Sequence, residues 1–201
     1  ELIMALPQKS VLSKYWQLDE DTVFLNHGSY GASPIEVLKQ QGEYRRKIEN
    51  DPVRFFEREY FDYWKKSIQV LSKFINADPE GLVFVTNATY GVNTILKNLD
   101  LKNGDQIIVT DHTYEACRNT VDYVTKSVGA ETIVVEIPFD VKNQKEVVDI
   151  VMNSVSEKTV LALIDTVTSP TGMRMPFEEI IRRLEKENID VLLDAAHGAG
   201  I

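Results

Sequence analysis

Residues 159–194 read TVLALIDTVTSPTGMRMPFEEIIRRLEKENIDVLLD, and this stretch decides the fold class. It holds two short apolar runs, 159–165 and 189–194, that do not alternate between polar and apolar residues. A segment from about residue 177 to 187 lies between them and is predicted to be a helix. Short runs rich in β-branched residues and separated by helices are typical of a parallel sheet that helices cover on both faces.

The same alternation extends towards the amino end of the chain. Further strands are predicted at 82–86, 106–110 and 132–135. Helices are predicted to follow them at about 87–99, 114–127 and 144–154. We therefore expect an α/β fold with a mostly parallel sheet sandwiched by helices.

The stretch 33–76 has a different texture, because its apolar side chains recur every three or four residues as in amphipathic helices. Asn50, Asp51 and Pro52 are predicted to separate two helices here. The second helix is rich in aromatic residues and is predicted to carry more apolar surface than a lone domain tolerates. The sequence thus divides into an N-terminal segment with helices, 1–76, and a sheet domain, 77–201.

Composition argues against several classes of function. The formal net charge of −9, without a basic patch, disfavours a nucleic-acid or anionic-membrane partner. No apolar run approaches the ~20 residues that a membrane helix needs. Cys117 is the only cysteine, which favours a reducing compartment such as the cytoplasm. Zinc-type spacing is absent, as are GxGxxG, P-loop and GxSxG patterns, so no metal, nucleotide or α/β-hydrolase site is expected.

Polar residues follow four of the predicted strands: Asn87, His112, Ser169 and Asp194. In sheets of this type, ligands bind at the carboxyl ends of the strands. These four positions are therefore the first candidates for a functional site.

The segment Asn87-Ala88-Thr89 opens a predicted helix, where backbone N–H groups and the helix dipole favour an anion. Asn87 could equally serve only as the helix cap. Asp194 ends an apolar strand, where its carboxylate could hold a ring nitrogen protonated, or could simply form a turn. His197 follows three residues later and could donate a hydrogen bond to a ring oxygen in the same cavity.

Two further segments offer side chains at the same edge of the sheet. His112 and Tyr114 follow the second predicted strand, and a flat side chain there could stack on a cofactor ring. Ser169 belongs to a polar turn, residues 168–172, that either lines a site or is only a turn.

The order of these motifs is more specific than any one of them. They are FLNHGSYG at 24–31, NDPVRFF at 50–56, VTNAT at 85–89, TDH at 110–112, VTSPTG at 167–172 and DAAHG at 194–198. Over nearly the whole chain this series resembles the class V aminotransferase family of fold type I pyridoxal-phosphate (PLP) enzymes. The resemblance is strongest to the isopenicillin N epimerase-like branch.

The resemblance implies roles for the candidate cofactor-binding residues. Ala88 and Thr89, after Asn87, would bind the phosphate of PLP. His112 would stack on the ring, with Tyr114 as the competing choice. Asp194 would pair with the pyridine nitrogen.

Further implied roles concern the ring hydroxyl and the substrate. His197 would lie near the ring hydroxyl, and Ser169 occupies the place where cysteine desulfurases often carry an asparagine. Asn26, His27 and Arg54 would approach the substrate, an amino acid or the amino-acid end of a small peptide. The N-terminal helices would belong partly to the small domain and partly to the contact of a homodimer.

The family's Schiff-base lysine follows the DAAHG segment, so we expect it beyond Ile201 and expect no catalytic lysine among residues 1–201. The chain would then be a truncated large domain and inactive by itself. The implied reaction is at the α-carbon of an amino acid: epimerisation, transamination or lyase chemistry. Cysteine desulfuration or C–S cleavage is the alternative within the family. A non-catalytic interaction module derived from the fold is the alternative outside enzymology.

Overall fold

The computed structural model describes residues 8–200, which fall into two compact units with the boundary between Val83 and Phe84. The first unit is helical. Its regular elements are a 3-10 turn Ser13–Tyr15, α1 His27–Tyr30, α2 Ile35–Asn50, α3 Pro52–Arg54, a π-helical turn Phe55–Glu59, α4 Tyr60–Ile75 and a 3-10 turn Pro79–Gly81.

The predicted break between the two long helices is confirmed. Asp51 leaves the helical conformation and caps α3, because its side chain accepts a hydrogen bond from the Arg54 N–H at 3.0 Å. Pro52 takes the first helical position, where its missing N–H is not needed. The chain therefore restarts as a helix in a new direction after Asp51.

An aromatic cluster holds α2 against the helix that follows it. The rings of Phe55 and Tyr63 stack at 5.8 Å, and Tyr44 from α2 meets Tyr63 edge-on at 5.2 Å. Phe55 is buried, whereas Phe61 and Phe74 on α4 are exposed. Aromatic residues of this helix thus divide between the core of the unit and its surface.

The second unit alternates helices and strands. Its elements are α5 Ala88–Leu96, β1 Gln106–Thr110, α6 Glu115–Val128, β2 Glu131–Val135, α7 Gln144–Asn153, β3 Thr159–Asp165, α8 Phe177–Lys186 and β4 Asp190–Asp194. The strands form one sheet in the order β2-β1-β3-β4, and every neighbouring pair is parallel. The predicted α/β fold with a parallel sheet is confirmed.

Each face of the sheet has its own apolar core. In one core, α7 and α8 pack against strand side chains such as Ile108 and Ile164, and α8 contributes Leu184. In the other core, α5 and α6 pack against strand side chains such as Val109 and Leu163, and α6 contributes Val121. Because successive residues of a strand point to opposite faces, continuous apolar runs are what a sheet with two covered faces requires.

The predicted strand at 82–86 is wrong. This run forms no strand, and Val83 within it is 77% exposed. A strand exists only through hydrogen bonds to a neighbour, and no segment among residues 8–200 pairs with this one. Short apolar runs cannot be assigned from periodicity alone, which is why the sequence did not reveal the missing partner.

Within residues 8–200, the helices are too short or too polar to cross a lipid bilayer.

Candidate active site

Two carboxyl groups meet where β3 and β4 end. Asp165 is the last residue of β3, Asp194 is the last residue of β4, and the two are partners in the parallel register. In-register neighbours in a parallel pair point to the same face of the sheet. Both side chains are buried, with 3% of Asp165 and 6% of Asp194 exposed. The pair lies on the face that α5 and α6 cover, since Leu163 two residues earlier belongs to that core.

Asp194 is held by two donors. Its Oδ1 accepts the Ala196 N–H at 3.0 Å, and its Oδ2 accepts the Cys117 thiol at 3.5 Å. A carboxylate offers about four lone-pair positions, so each oxygen can accept one further hydrogen bond. Asp194 is therefore fixed in position and still able to accept a proton donor such as a protonated ring nitrogen.

Cys117 connects Asp194 to the start of α5. The thiol donates to Asp194, and the Thr89 side chain at the start of α5 is near enough to lower the pKa of the thiol. Burial, and next the charge of Asp194, raise the pKa of Cys117 to about 12, so the side chain remains a protonated thiol. The amino end of α5 and the Asp194 carboxylate are thus both close to one small side chain.

The start of α5 is arranged as the sequence predicts for a cap. The Asn87 side chain accepts the Tyr90 N–H at 2.8 Å. The first N–H groups of a helix have no acceptor within the helix, so those of Ala88 and Thr89 remain free of intrahelical bonds. Free N–H groups at a helix start form a favourable place for a phosphate or another anion.

Sequence reasoning overlooked Asp165 and the bridging position of Cys117. Burial, followed by the charge of Asp194, raises the pKa of Asp165 to about 7, and the nearby Thr113 hydroxyl only partly opposes this. Its Oδ2 is buried without a hydrogen-bond partner in the described structure. The signal was present in the sequence, because Asp165 closes the run 159–165 just as Asp194 closes the run 189–194.

The ring of His112 is held from both nitrogens. Its Nε2 lies 2.8 Å from the Ile137 carbonyl oxygen and its Nδ1 lies 2.8 Å from the Thr171 hydroxyl. Because a carbonyl can only accept, Nε2 carries the proton. The side chain is 4% exposed, and the Phe139 ring lies 5.0 Å away. Tyr114, the competing candidate for ring stacking, is the N-terminal cap residue of α6 and is 44% exposed.

The turn after β3 is rigid and polar. Its hydroxyls are linked, since Thr168 Oγ1 lies 2.6 Å from Thr171 Oγ1, and the Gly172 N–H donates to the Thr168 carbonyl at 2.8 Å. Thr171 in turn holds His112, so the turn connects the ends of β1 and β3. Ser169 projects from this turn and is half-buried.

The turn after β4 packs closely against the end of β3. The Thr166 N–H donates to the Asp194 carbonyl at 2.9 Å, and a Cβ added to Gly198 would lie 2.8 Å from Thr166 Oγ1. Only glycine fits at position 198 without moving that hydroxyl. His197 is half-buried beside this close contact.

The three candidate substrate-binding residues lie in the first unit. Asn26 caps α1 through a hydrogen bond from the Ser29 N–H, and the His27 ring packs 4.7 Å from that of Phe24. Arg54 borders a cavity of about 340 Å³, where its Nε donates to Glu59 Oε1 at 2.7 Å. A substrate carboxylate at Arg54 would therefore compete with Glu59.

No cluster of three or more His, Cys, Asp or Glu side chains suited to a metal ion occurs within residues 8–200.

Fold and site define an α/β protein with buried carboxyls and a helix start at the carboxyl edge of a parallel sheet. A family profile described as aminotransferase class V matches residues 23–200. The chain belongs to this family, and the sequence-based recognition is confirmed.

Relatives and solved structures agree with this assignment. The chain is 29% identical to a probable chloroplastic L-cysteine desulfhydrase of Arabidopsis thaliana, over 97% of this chain and 44% of that protein. It is 26% identical to isopenicillin N epimerase of Streptomyces clavuligerus, over 91% of this chain and 46% of that protein. A mutant of the cystine C–S lyase C-DES, with glycine linked to its PLP cofactor, superposes with a TM-score of 0.81 at 21% identity, over 90% of this chain and 48% of that one. The chain thus spans less than half the length of these proteins.

Proposed function

We propose that this chain forms the cofactor-binding part of a PLP-dependent enzyme that acts at the α-carbon of an amino acid. The observation that carries the proposal is the path from Thr89 through Cys117 to Asp194. It brings a helix start that favours an anion and a buried carboxylate close to one and the same side chain. PLP needs this pair of groups, since its phosphate and its ring nitrogen lie at different edges of one small molecule.

Each candidate residue takes a defined task in this proposal. The N–H groups of Ala88 and Thr89 bind the phosphate, with Asn87 fixing the helix start. Asp194 accepts the ring N–H and keeps the nitrogen protonated. A protonated ring is the electron sink that PLP supplies for chemistry at the α-carbon.

The remaining ring contacts come from the loops after β1, β3 and β4. His112 is our first choice for the stacking residue because two hydrogen bonds fix its ring plane, and Tyr114 remains the alternative. Ser169 and His197 are the candidates for the ring hydroxyl, since both are half-buried at the same edge of the sheet.

We favour C–S lyase chemistry over persulfide-forming desulfuration. Within residues 1–201, Cys117 itself is unsuited to receive sulfur as a thiolate, because it is fully buried and its pKa is raised to about 12. A lyase needs no protein thiol, because cysteine and water yield pyruvate, ammonia and hydrogen sulfide. The L-cysteine desulfhydrase among the relatives supports this choice, and the epimerase supports epimerisation as the second candidate.

The substrate side and the assembly are further parts of the proposal. Asn26, His27 and Arg54 are proposed to bind the amino-acid substrate, Arg54 by exchanging Glu59 for the substrate carboxylate. A homodimer is proposed because Phe61, Phe74 and Val70 expose apolar surface on α4. A reducing compartment such as the cytoplasm is proposed because Cys117, the only cysteine, is buried as a free thiol.

The lysine that binds the cofactor covalently is proposed to lie beyond Ile201, as in the family pattern. Lys97 and Lys102 support this placement, because both sit at the opposite edge of the sheet. Lys97 follows the carboxyl end of α5, and the Lys102 N–H bonds Asp105 just before β1 begins.

The decisive measurement is PLP binding by absorbance, comparing the protein with its Asp194→Asn variant. We expect Asp194→Asn to weaken binding by about 10- to 100-fold, since a hydrogen bond to a charged group contributes about 1.5–3 kcal/mol. Asp190→Asn is the matched control, because Asp190 is the exposed first residue of the same strand. Equal affinity in the wild type and in Asp194→Asn would refute the assignment of Asp194. No binding by the full-length protein at saturating PLP would instead favour a non-catalytic module.

A further inference from the structure

Asp165 and Asp194 occupy equivalent positions, each as the last residue of its strand, but their side chains have different hydrogen-bonding environments. Asp194 receives the Ala196 N–H and the Cys117 thiol. The Oδ2 atom of Asp165, by contrast, is buried and receives nothing. Since a buried ionised oxygen without a donor is costly, the charge belongs on Asp194 and the proton on Asp165.

We propose that Asp165 and Asp194 form a carboxyl pair with one negative charge, in which Asp165 holds the proton until a cationic ring nitrogen binds at Asp194. Asp165 then releases its proton to solvent and adds a second negative charge beside the ring. It acts through Asp194 and is a positioning residue. This inference rests on the proposed function for its second half only, because the carboxyl pair exists without any cofactor.

The groups that face Asp165 support this division of charge. Asp194 faces it from β4, Cys117 faces it from α6, and the Thr113 hydroxyl lies at the β1–α6 connection. Asp194 and the thiol provide no positive charge, and burial adds to the repulsion by Asp194 in raising the pKa of Asp165 to about 7. Like charges at adjacent buried positions cannot both ionise at little cost, so the second carboxyl stays protonated.

A bound cation reverses this balance. A ring N–H⁺ at Asp194 neutralises the charge that repels a second carboxylate, so it lowers the pKa of Asp165. Linkage is reciprocal: ionised Asp165 must strengthen the binding of the cation by the same factor. Asp165 thus couples the affinity for the cationic ring to pH in the neutral range.

The first half of the proposal is tested without cofactor, by ¹³C NMR of carboxyl-labelled aspartates. The Asp165 resonance, assigned by its loss in Asp165→Asn or, if that variant fails to fold, in Asp165→Ser, is expected to titrate near pH 7. In Asp194→Asn its midpoint should fall, because the repelling charge is gone, whereas Asp190→Asn should leave it unchanged. A midpoint near pH 4 in the wild type, or one that Asp194→Asn does not move, would overturn the carboxyl pair.

The second half is tested by the ratio of the Kd of Asp165→Asn to that of the wild type for PLP. The phosphate and the ring of PLP titrate equally in both measurements, so their effect on the Kd cancels in this ratio. We expect a ratio near one at pH 5.5 and about ten at pH 8.5, as the added charge in a partly screened site implies. With a PLP analogue that has carbon in place of the ring nitrogen, the ratio should stay near one throughout.

A ratio for PLP that is independent of pH would overturn the coupling. If the full-length protein binds no PLP at any pH, the proposed function fails, while the NMR titration still decides whether the carboxyl pair exists.

Discussion

The two faces of the sheet in the second unit are built from the same kind of residue but end differently. The face under α7 and α8 is packed with apolar side chains such as Ile108, Ile164 and Leu184. The face under α5 and α6 begins in the same way and ends in Cys117, Asp165 and Asp194. The face under α7 and α8 is an apolar core. The face under α5 and α6 is also a core, but it supports a polar site at the carboxyl ends of β3 and β4. The site therefore depends on burial supplied by its own face, which can be tested by disturbing each face separately.

The largest expected effect is a loss of stability from either face. Leu184→Ala on the first face and Leu163→Ala on the second each remove a fully buried side chain, so each should lower the free energy of unfolding by about 2–5 kcal/mol. Urea denaturation measures this loss. Only Leu163→Ala should also weaken PLP binding in the folded fraction, since Leu163 lies two residues before Asp165 on the same face. Val160→Ala, at a partly exposed position of β3, is the control and should change little. Equal effects of both buried variants on PLP binding would break the distinction between the faces.

A smaller effect is expected from pH. The pKa of Asp165 is raised from 3.8 to about 7 by folding, so the folded state binds this proton more tightly than the unfolded state. The resulting stabilisation is complete below about pH 4 and is lost as pH rises to about 7. The free energy of unfolding of Asp165→Asn minus that of the wild type should therefore rise by up to about 4 kcal/mol over this range. Denaturation at several pH values measures it, and a difference that does not change with pH would contradict the assignment.

Carboxylates with lowered pKa values lose their stabilisation as pH falls, which is opposite to Asp165. They are present in both the wild type and Asp165→Asn, so their contributions cancel in the difference between the two free energies of unfolding. The pKa of Glu179 is lowered to about 2 by hydrogen bonds from Arg182 and Arg183, so its contribution is lost only as pH falls. Because the Glu179 side chain is 35% exposed, screening by solvent keeps that contribution small.

The smallest expected effect compares the two asparagine caps, one for each face. Asn87 caps α5 and Asn143 caps α7, each by accepting an N–H three residues on. Asn87→Ala and Asn143→Ala should each cost about 1 kcal/mol of stability. Asn87→Ala alone should also weaken PLP binding, by about threefold, because it loosens the N–H groups of Ala88 and Thr89. An equal loss of affinity in Asn143→Ala would show that the effect is global instability and does not arise at the phosphate site.

Much of this outcome could be read from local sequence. Asn87 and Asn143 cap helices because their side chains reach N–H groups three residues away, an interaction that depends on no distant part of the chain. The run 159–165 forms β3 because its continuous apolar pattern suits a strand buried on both faces. The run 82–86 has a similar pattern but forms no strand, because pairing depends on a partner that the pattern does not identify.

The fold class, the family and the position of Asp194 at the end of a buried strand could be read from the residues alone, because periodicity, caps and motif order are local properties. The contact of Cys117 with Asp194, and the place of Asp165 beside Asp194 without a donor for its Oδ2, follow from tertiary packing. The register of β3 against β4 sets these relations, and burial sets their electrostatic consequences. Neither quantity is written in any short stretch of residues, since both arise from segments that meet only after the chain has folded.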